Sequence, residues 1–327
     1  MIGSGNRCWL SLLAVLLFGL PGSMPGSLSQ AHAVPKGEII LGCCNATSSH
    51  YALAVAQMRA LKTSLPKTNV TLLETGGGLD NIRRLQRDEI SMGQMGLDGV
   101  VNAAKGVAEF ANRAVPDMVV LYPYVLTYQN IVVRKVSGIT RLEELNGKRF
   151  SPGIRGSSSA ALIHRALDLL GIKPIYVEGT LVDATEGVQN GQLVGLAVSS
   201  AGPTMTAAVR ELGTSTELRA LGITKEQKQK IDGKMNGIQV LPIPPTGSPG
   251  GVAVDGLSFP AVWATRLAVV DDDTAYQIAK AIHENRKLLI ETWPHLADFD
   301  FKRMALAVEA AGGVLHPGAK RYWESVK

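Results

Sequence analysis

The sequence predicts an α/β fold in two lobes, and three observations predict it. Short apolar, β-rich runs alternate with amphipathic helical stretches, which is the βαβ pattern of a parallel sheet. The alternation starts again near residue 139, and 327 residues are enough for about two domains. A stretch rich in Pro and Gly at residues 242–251 (PIPPTGSPGG) has the composition of a linker. We therefore expect two βα-rich lobes with a crossover between them.

Residues 1–33 have the layout of a secretory signal peptide. One basic residue, Arg7, precedes an apolar run at residues 9–20, and Ala31-His32-Ala33 has the form of an A-x-A cleavage site. The apolar run is shorter than the ~20 residues that span a bilayer. We expect cleavage after Ala33 and export to the periplasm. Retention as an N-terminal anchor is the alternative.

The first set of elements contains short strands that are followed by helices. Strands are predicted at residues 38–44, 69–74, 91–95, 118–126 and 130–133. Helices are predicted at residues 51–65 and 79–87 and after Asp98. In the second of these helices, Leu79, Ile82 and Leu85 recur on one face, which is typical of an amphipathic helix.

The second set repeats this cycle and ends in a long helix. Strands are predicted at residues 148–152, 175–178, 193–199 and 263–270. Helical segments are predicted at residues 139–145, 158–170, 185–189 and 273–292. Gly171 supplies a C-cap for the helix at 158–170, and the acidic residues 271–273 suit the N-terminus of the last helix.

Composition and motifs exclude several classes of function. The net charge of +5 is spread along the chain and aromatic residues make up only 5%, so we expect no nucleic-acid partner. The six His are scattered without zinc spacing, and the adjacent Cys43 and Cys44 cannot link distant parts of the fold. The chain lacks the G-x-S-x-G, H-E-x-x-H and G-x-G-x-x-G signatures. We expect no metal, no cofactor and no catalytic residues.

Three loops share a chemistry that suits a small anion. They lie at residues 42–49, 75–78 and 153–159, each joins a strand to a helix, and each is rich in Gly, Ser, Thr or Asn. In open α/β sheets ligands bind at such strand–helix loops, and the unpaired N–H groups of a helix N-terminus attract anions. The alternative for any one loop is an ordinary capped helix start. Three such loops in one chain favour an anionic ligand.

The candidate ligand-binding residues come from these loops and their neighbours. They are Asn45, Ser48, Ser49, Tyr51, Thr75, Gly76, Gly77, Gly78, Asp98, Arg155, Gly156, Ser157, Ser158, Ser159 and Ser199. Arg155 could bind a carboxylate through two hydrogen bonds, or could be a solvated surface residue. Tyr51 could cover the ligand or belong to the core. Asp98 could instead cap a helix or form a turn.

Four motifs in order resemble the TAXI family of TRAP-transporter solute receptors, which are tripartite ATP-independent periplasmic systems. Residues 74–78 (ETGGG) with Asn81 and Leu85 are similar to the family's E-x-T-G-G-S-x-x-N-x-x-x-L signature. Residues 137–149 resemble its S-G-I and L-x-G-K-R segment, and residues 153–159 (GIRGSSS) stand where it has G-x-x-G-S-G-T. His316 to Ala319 resemble its C-terminal H-P-G-A. Arg155 stands where a proline is common, so the resemblance does not fix the ligand.

This resemblance implies a type II periplasmic-binding-protein fold with a two-strand hinge. Lobe 1 would comprise residues 34–134 and 257–327, and lobe 2 residues 135–256. The implied function is that of a monomeric receptor that closes over its ligand and delivers it to an ion-gradient-driven TRAP permease. The implied ligand is a small organic anion: a glutamate-like amino acid, a dicarboxylate or a keto acid. A receptor that presents its closed form to a sensor kinase, and an exported enzyme on the same fold, are the alternatives.

The resemblance also implies roles for individual residues. Residues 75–78 and 157–159 would donate hydrogen bonds from their backbone and hydroxyl groups. Tyr51 would act as a lid, and Arg155 would be the charge partner of the ligand.

Overall fold

A computed structural model describes residues 37–327, and the predicted signal peptide and its cleavage site lie outside them. The strands are β1 (Glu38–Gly42), β2 (Asn69–Leu73), β3 (Met92–Gly96), β4 (Met118–Arg134), β5 (Arg149–Ser151), β6 (Ile175–Tyr176), β7 (Gly195–Ala201), β8 (Leu218–Leu221), β9 (Gln239–Ile243) and β10 (Val254–Arg266). The helices are α1 (Ser49–Ser64), α2 (Gly78–Gln86), α3 (Leu97–Lys105), α4 (Ser158–Leu169), α5 (Leu181–Gln189), α6 (Ala207–Ser215), α7 (Lys225–Ile231), α8 (Asp272–Glu284), α9 (Arg286–Thr292), α10 (Phe301–Leu306) and α11 (Pro317–Ser325).

The sheet has two halves with the same strand order. In the first half the order is β2-β1-β3-β10-β4, where β1 pairs in parallel with β2 and β3, and β10 is antiparallel to its neighbours. In the second half the order is β6-β5-β7-β4-β8, where β4 is the antiparallel strand. Each half therefore contains one antiparallel strand that arrives from the other half.

Two long strands join the halves and define the lobes. Strand β4 pairs with β10 along residues 118–129 and with β7 along residues 127–133. Strand β10 pairs with β9 at its start and with β3 near its end. We call the half that contains β1–β3 lobe 1 and the half that contains β5–β9 lobe 2. The expected two-lobed α/β fold with a two-strand hinge is confirmed.

Each lobe buries its sheet between two hydrophobic clusters. In lobe 1 one cluster contains Trp263 and Trp323, and the other contains Ile82 and Val100. In lobe 2 one cluster contains Phe150, and the other contains apolar residues from β7, α5 and α6. Helices on both faces are what a largely parallel sheet requires, because its strands are apolar on both sides.

The predicted strands of both sets are present, with different bounds in several places. The segments predicted at 118–126 and 130–133 are one strand, β4, because the polar residues between them pair with β7 and β10. The last strand begins at Val254 and ends at Arg266, so the prediction of 263–270 was wrong at both ends. The helix predicted at 273–292 is broken at Asn285, whose side chain donates to the carbonyl of Ala281.

The segment at residues 242–251 does not cross between the lobes. It contains the end of β9, which pairs with β10, and two short 3-10 helices, Pro245–Gly247 and Pro249–Gly251. Helices α6, α7, α10 and α11 and strands β8 and β9 were not predicted. No helix within residues 37–327 has the length and apolarity needed to cross a membrane.

Candidate functional site

A cavity of about 470 Å³ lies between the two lobes, where the strand–helix loops of both lobes meet. Its lining comes from the N-terminal ends of helices, from the hinge strands and from the segment that follows α9. The first residues of five helices line it: Ser49 (α1), Gly78 (α2), Ser158 (α4), Leu181 (α5) and Ala207 (α6). Each N-terminus carries N–H groups without partners in its own helix and a partial positive charge. Five of them make the cavity attractive to an anion.

Hydroxyl groups cap four of these helices. The side chains of Ser48, Ser157, Thr180 and Thr206 accept hydrogen bonds from backbone N–H groups two or three residues further on. Helix α2 begins differently, since its N-cap is Gly77, which has φ of 101° and no side chain to form a cap. A glycine adopts this conformation without a steric penalty. The first N–H groups of α2 are therefore open to a ligand.

One guanidinium group supplies a full positive charge to the lining. Arg210 on α6 lines the cavity, and it donates a hydrogen bond to the carbonyl of Met205. Within residues 37–327 it forms no ion pair with a carboxylate. No Asp or Glu lines the cavity in the part of the chain that the structure describes. The electrostatic balance of the site is therefore positive.

The hinge strand β4 forms a polar floor. Gln129 lines the cavity and is only 2% exposed, yet neither polar atom of its amide has a hydrogen-bond partner within residues 37–327. Buried polar atoms are nearly always paired, so an amide of this kind is suited to a polar ligand. Gln94 on β3 and Thr127 on β4 also line the cavity and are buried.

His50 lies in this lining but carries no charge near neutral pH. Its Nδ1 is 2.7 Å from the hydroxyl of Tyr124, and its Nε2 is 3.4 Å from Oγ1 of Thr127. Burial lowers the pKa of His50 to about 4. His50 therefore acts as a neutral hydrogen-bonding group, and Arg210 remains the charged group of the lining.

One part of the lining is an apolar wall. It includes Met95, Ile154, Val198, Phe259 and Trp293. A cavity that combines such a wall with a few polar groups is typical of a site for a small organic molecule, since a simple inorganic ion would leave the apolar wall without contacts.

Contacts on both sides of the cavity hold the lobes together. On one side, the Ser49 hydroxyl of lobe 1 accepts from the backbone N–H of Ala201 in lobe 2 at 3.2 Å. The indole N–H of Trp293 in lobe 1 donates to the carbonyl of Ala201 at 2.8 Å. On the other side, Arg165 on α4 forms ion pairs with Asp98 and Glu109 of lobe 1. The structure is therefore a closed form.

The structure brings ten of the fifteen candidate residues to the cavity. Those that line it are Asn45, Ser48, Ser49, Gly76, Gly77, Gly78, Ser157, Ser158, Ser159 and Ser199. Those outside the lining are Tyr51, Thr75, Asp98, Arg155 and Gly156. Tyr51 packs on the core of lobe 1, and the Thr75 hydroxyl accepts from the N–H of Gly77.

The two charged candidates are engaged elsewhere. Arg155 is exposed, lies 3.7 Å from a carboxylate oxygen of Glu178 and donates to the carbonyl of the same residue. Asp98 is buried and ion-paired with Arg165, and burial raises its pKa against the opposing effect of that partner. Asp98 lies in the first turn of α3, whose N-cap is Gly96, so the alternative interpretation of Asp98 as a helix cap or turn residue was also wrong.

Most of the lining from the hinge and from lobe 2 was not predicted from the sequence. The missed polar residues include Gln94, Thr127, Gln129, Thr204, Thr206 and Arg210. One signal for the hinge residues was available, because the polar residues 127–130 interrupt an otherwise apolar run. Another was Thr206, a favourable N-cap residue before the unpredicted helix α6. Within residues 37–327, no cluster of three or more His, Cys, Asp or Glu could hold a metal ion.

Comparison with known proteins identifies the family. The model of the NMT1-like family matches residues 41–325, which is most of the chain. The chain belongs to the NMT1-like family. No curated protein matches the chain.

Solved structures share the fold of this NMT1-like protein. A protein from Bordetella bronchiseptica RB50 is 14% identical with a TM-score of 0.55. The match covers 88% of this chain and 98% of the Bordetella chain. A Xanthomonas citri protein bound to chloride ion is 14% identical with a TM-score of 0.50, covering 89% of this chain and 100% of its own. The periplasmic aliphatic sulphonate binding protein SsuA from Escherichia coli is 16% identical with a TM-score of 0.49. The match covers 89% of this chain and 84% of the SsuA chain. At these identities the likeness concerns the fold.

Proposed function

We propose that this NMT1-like protein is an extracytoplasmic receptor that captures a small organic carboxylate between its lobes and delivers it to a membrane permease. The observation that supports this proposal is the convergence of five helix N-termini and Arg210 on one closed cavity. Such an arrangement binds an anion from both lobes at once, so the ligand favours the closed form.

The charge of the lining narrows the ligand class. A bound amino acid would bury an ammonium group, which is costly unless a carboxylate pairs with it. The lining described above has no carboxylate, whereas Arg210 and the helix N-termini suit one or two carboxylates on the ligand. The apolar wall accommodates a short carbon chain or ring. We therefore favour a keto acid or a dicarboxylate over a glutamate-like amino acid.

The permease is proposed to be of the TRAP type. The support is the resemblance of the motifs at residues 74–85, 137–149, 153–159 and 316–322 to TAXI receptors. We place lobe 1 at residues 34–134 and 257–327, and lobe 2 at residues 135–256. Co-reconstitution with the candidate permease in vesicles tests this step. Uptake that follows an imposed ion gradient without ATP supports it, and uptake that needs ATP contradicts it.

A thermal-shift screen tests the ligand class. The panel contains keto acids, dicarboxylates, amino acids and the neutral amides of the same acids. A ligand at 100 times its dissociation constant stabilises the folded protein by ~2.7 kcal/mol, which is easily measured. We expect keto acids or dicarboxylates to raise the melting temperature and their amides to have no effect. Equal shifts from an acid and its amide would contradict an anion site.

Arg210→Ala tests the charge partner of the ligand. A charge-assisted hydrogen bond contributes about 1.5–3 kcal/mol, so we expect carboxylate affinity to fall roughly ten- to hundredfold by calorimetry. Arg155→Ala is the matched comparison, because Arg155 is also an exposed arginine but is paired with Glu178 outside the cavity. An affinity that falls with Arg155→Ala and not with Arg210→Ala would restore the sequence-based assignment.

A further inference from the structure

Cys43 and Cys44 are adjacent free thiols at the edge of the cavity. Their sulfur atoms are 2.8 Å apart. Cys44 lines the cavity and is 9% exposed, whereas Cys43 is completely buried. The pair therefore has one member that a reagent in the cavity can reach and one that it cannot.

The backbone of this pair supports the wall of the site. The fully buried amide of Asn81 donates to the carbonyl of Cys43 and to the carbonyl of Gln94, each at 2.7 Å. The N–H of Cys43 donates to the carbonyl of Leu73 at 3.0 Å. Through Asn81, the cysteine peptide is tied to Gln94, which lines the cavity.

Covalent geometry makes a disulfide between neighbours strained. Consecutive Cα atoms are about 3.8 Å apart across a trans peptide, whereas most disulfides join Cα atoms about 4.4–6.8 Å apart. Closing the ring therefore twists the peptide between the two residues. Strained disulfides are readily reduced, which suits a reversible switch better than a permanent cross-link.

We propose that Cys43 and Cys44 are a reversible dithiol–disulfide pair. A small disulfide oxidises the pair from the cavity when the lobes open, and the oxidation alters the ligand site. Its effect on ligand capture rests on the proposed function, whereas the oxidation itself does not.

The oxidation proceeds in two exchange steps. The Cys44 thiol loses its proton, and the thiolate attacks one sulfur of the small disulfide, so that a mixed disulfide forms and one small thiolate leaves. The Cys43 thiol then loses its proton and attacks the sulfur of Cys44, and the second small thiolate leaves. Two electrons pass from the protein to the small disulfide, whose two sulfurs take up the two protons. Burial raises the pKa of Cys43, which agrees with its role as the second, resolving thiol.

Ring closure changes the site through the peptide that it twists. Rotation of this peptide moves the carbonyl of Cys43 away from Asn81 and breaks the 2.7 Å hydrogen bond. The following loop, which includes Asn45 and Ser48 in the lining, then loses its link through Asn81 to Gln94. We expect the oxidised protein to close less well over its ligand.

Oxidised glutathione is the probe for the reaction. Trypsin releases both cysteines in peptide 37–59, which excludes Cys8, so mass spectrometry reads this pair alone. In the wild-type protein we expect the peptide to lose two hydrogen atoms without a glutathione adduct, and dithiothreitol to reverse the change. A wild-type peptide that stays reduced, or that keeps the adduct, would overturn the proposal.

Two matched variants test the order of attack. Cys43→Ser should retain a stable glutathione adduct on Cys44, because the resolving thiol is missing. Cys44→Ser should stay unmodified in the folded protein, because Cys43 is buried. If the glutathione adduct forms on Cys43 as fast as on Cys44, the proposed order of attack is contradicted.

Hydrogen exchange measures how oxidation of the cysteines affects the loop that follows them, and it needs no ligand. We expect amide exchange in the segment that follows the cysteines, residues 45–50, to become about tenfold faster after oxidation of the wild-type protein. The Cys43→Ser protein, treated in the same way, controls for the adduct. Unchanged exchange after complete oxidation would overturn the switch. Because none of these measurements reads the binding of a keto acid or dicarboxylate, a failed ligand screen leaves their result independent.

Discussion

At the scale of single residues, burial decides which polar groups of the cavity carry charge. His50 is buried beside Tyr124 and Thr127, and the desolvation that lowers its pKa to about 4 keeps it neutral. Arg210 lies at the exposed edge of the cavity and supplies the positive charge of its guanidinium group. The buried amide of Gln129 adds a donor and an acceptor without a net charge. The site therefore offers one cation and several neutral partners.

The low pKa of His50 predicts acid sensitivity. The unfolded chain binds a proton near pH 6.5, and the folded protein does so only near pH 4. Stability is therefore greatest above pH 6.5, falls as the pH decreases from 6.5 to 4, and changes no further through this group below pH 4. The shift corresponds to a loss of about 3 kcal/mol at most.

Denaturant unfolding at pH 7 and pH 4 measures this loss. His50→Gln should be less stable at pH 7 but should have a smaller loss between the two pH values. His283, whose pKa burial also lowers, contributes to the loss in both proteins, so the difference between them isolates His50. An equal loss in the two proteins would contradict the assignment.

At the scale of elements, helix α2 approaches α4 across the cleft because glycines begin it. A Cβ on Gly78 would lie 1.9 Å from the Oγ of Ser158 and 3.1 Å from its Cβ. A Cβ on Gly77 would be 3.4 Å from Ser157, and its φ of 101° also favours glycine. The glycines thus bring two helix N-termini from different lobes to one place.

Gly78→Ala is expected to hinder closure. Overpacking of this kind costs about 1–3 kcal/mol, so carboxylate affinity should fall roughly ten- to hundredfold by calorimetry. Gly99→Ala is the matched control, because its Cβ would meet Ser158 at an ordinary 3.5 Å. Adding Ser158→Gly to Gly78→Ala removes the clash and should restore part of the affinity. If the Gly78→Ala protein keeps its full carboxylate affinity, ligand binding does not require the N-termini of α2 and α4 to approach each other this closely.

At the scale of the whole molecule, an ion-pair network joins the lobes. Arg165 of lobe 2 contacts Asp98 and Glu109 of lobe 1, and its side chain is 23% exposed. Burial raises the pKa of Asp98 despite this partner, so desolvation offsets much of the attraction. The network joins the lobes in the closed form, and a ligand that contacts both lobes shifts the equilibrium further towards that form.

Arg165→Gln is expected to open the protein. Removing one partner of a buried pair costs about 3–5 kcal/mol, and opening relieves this cost because water then reaches Asp98. Small-angle scattering should show a larger radius of gyration in the variant without ligand. Arg266→Gln is the matched control: Arg266 is also 23% exposed and bridges two acids, Asp88 and Asp117, but all three lie in lobe 1. Opening in both variants would mean that general destabilisation is the cause.

The sequence by itself determined the alternation of strands and helices, the two-lobed α/β class and the three polar loops. These features depend on local periodicity and on local hydrogen bonding, which a window of residues contains. Nine candidates from those loops lie in the cavity for this reason, and Ser199 of β7 lies there as well. The motifs also pointed to a solute receptor, which is the function proposed above.

Only the tertiary structure decided which groups face one another. The long antiparallel pairing of β4 with β10 sets the register that directs Gln129 into the cleft, and no local pattern encodes it. The same pairing places the lobes so that Arg210 lines the cavity while Arg155 turns to Glu178. A charged side chain finds its partner through contacts between residues distant in sequence, so its role depends on the complete fold.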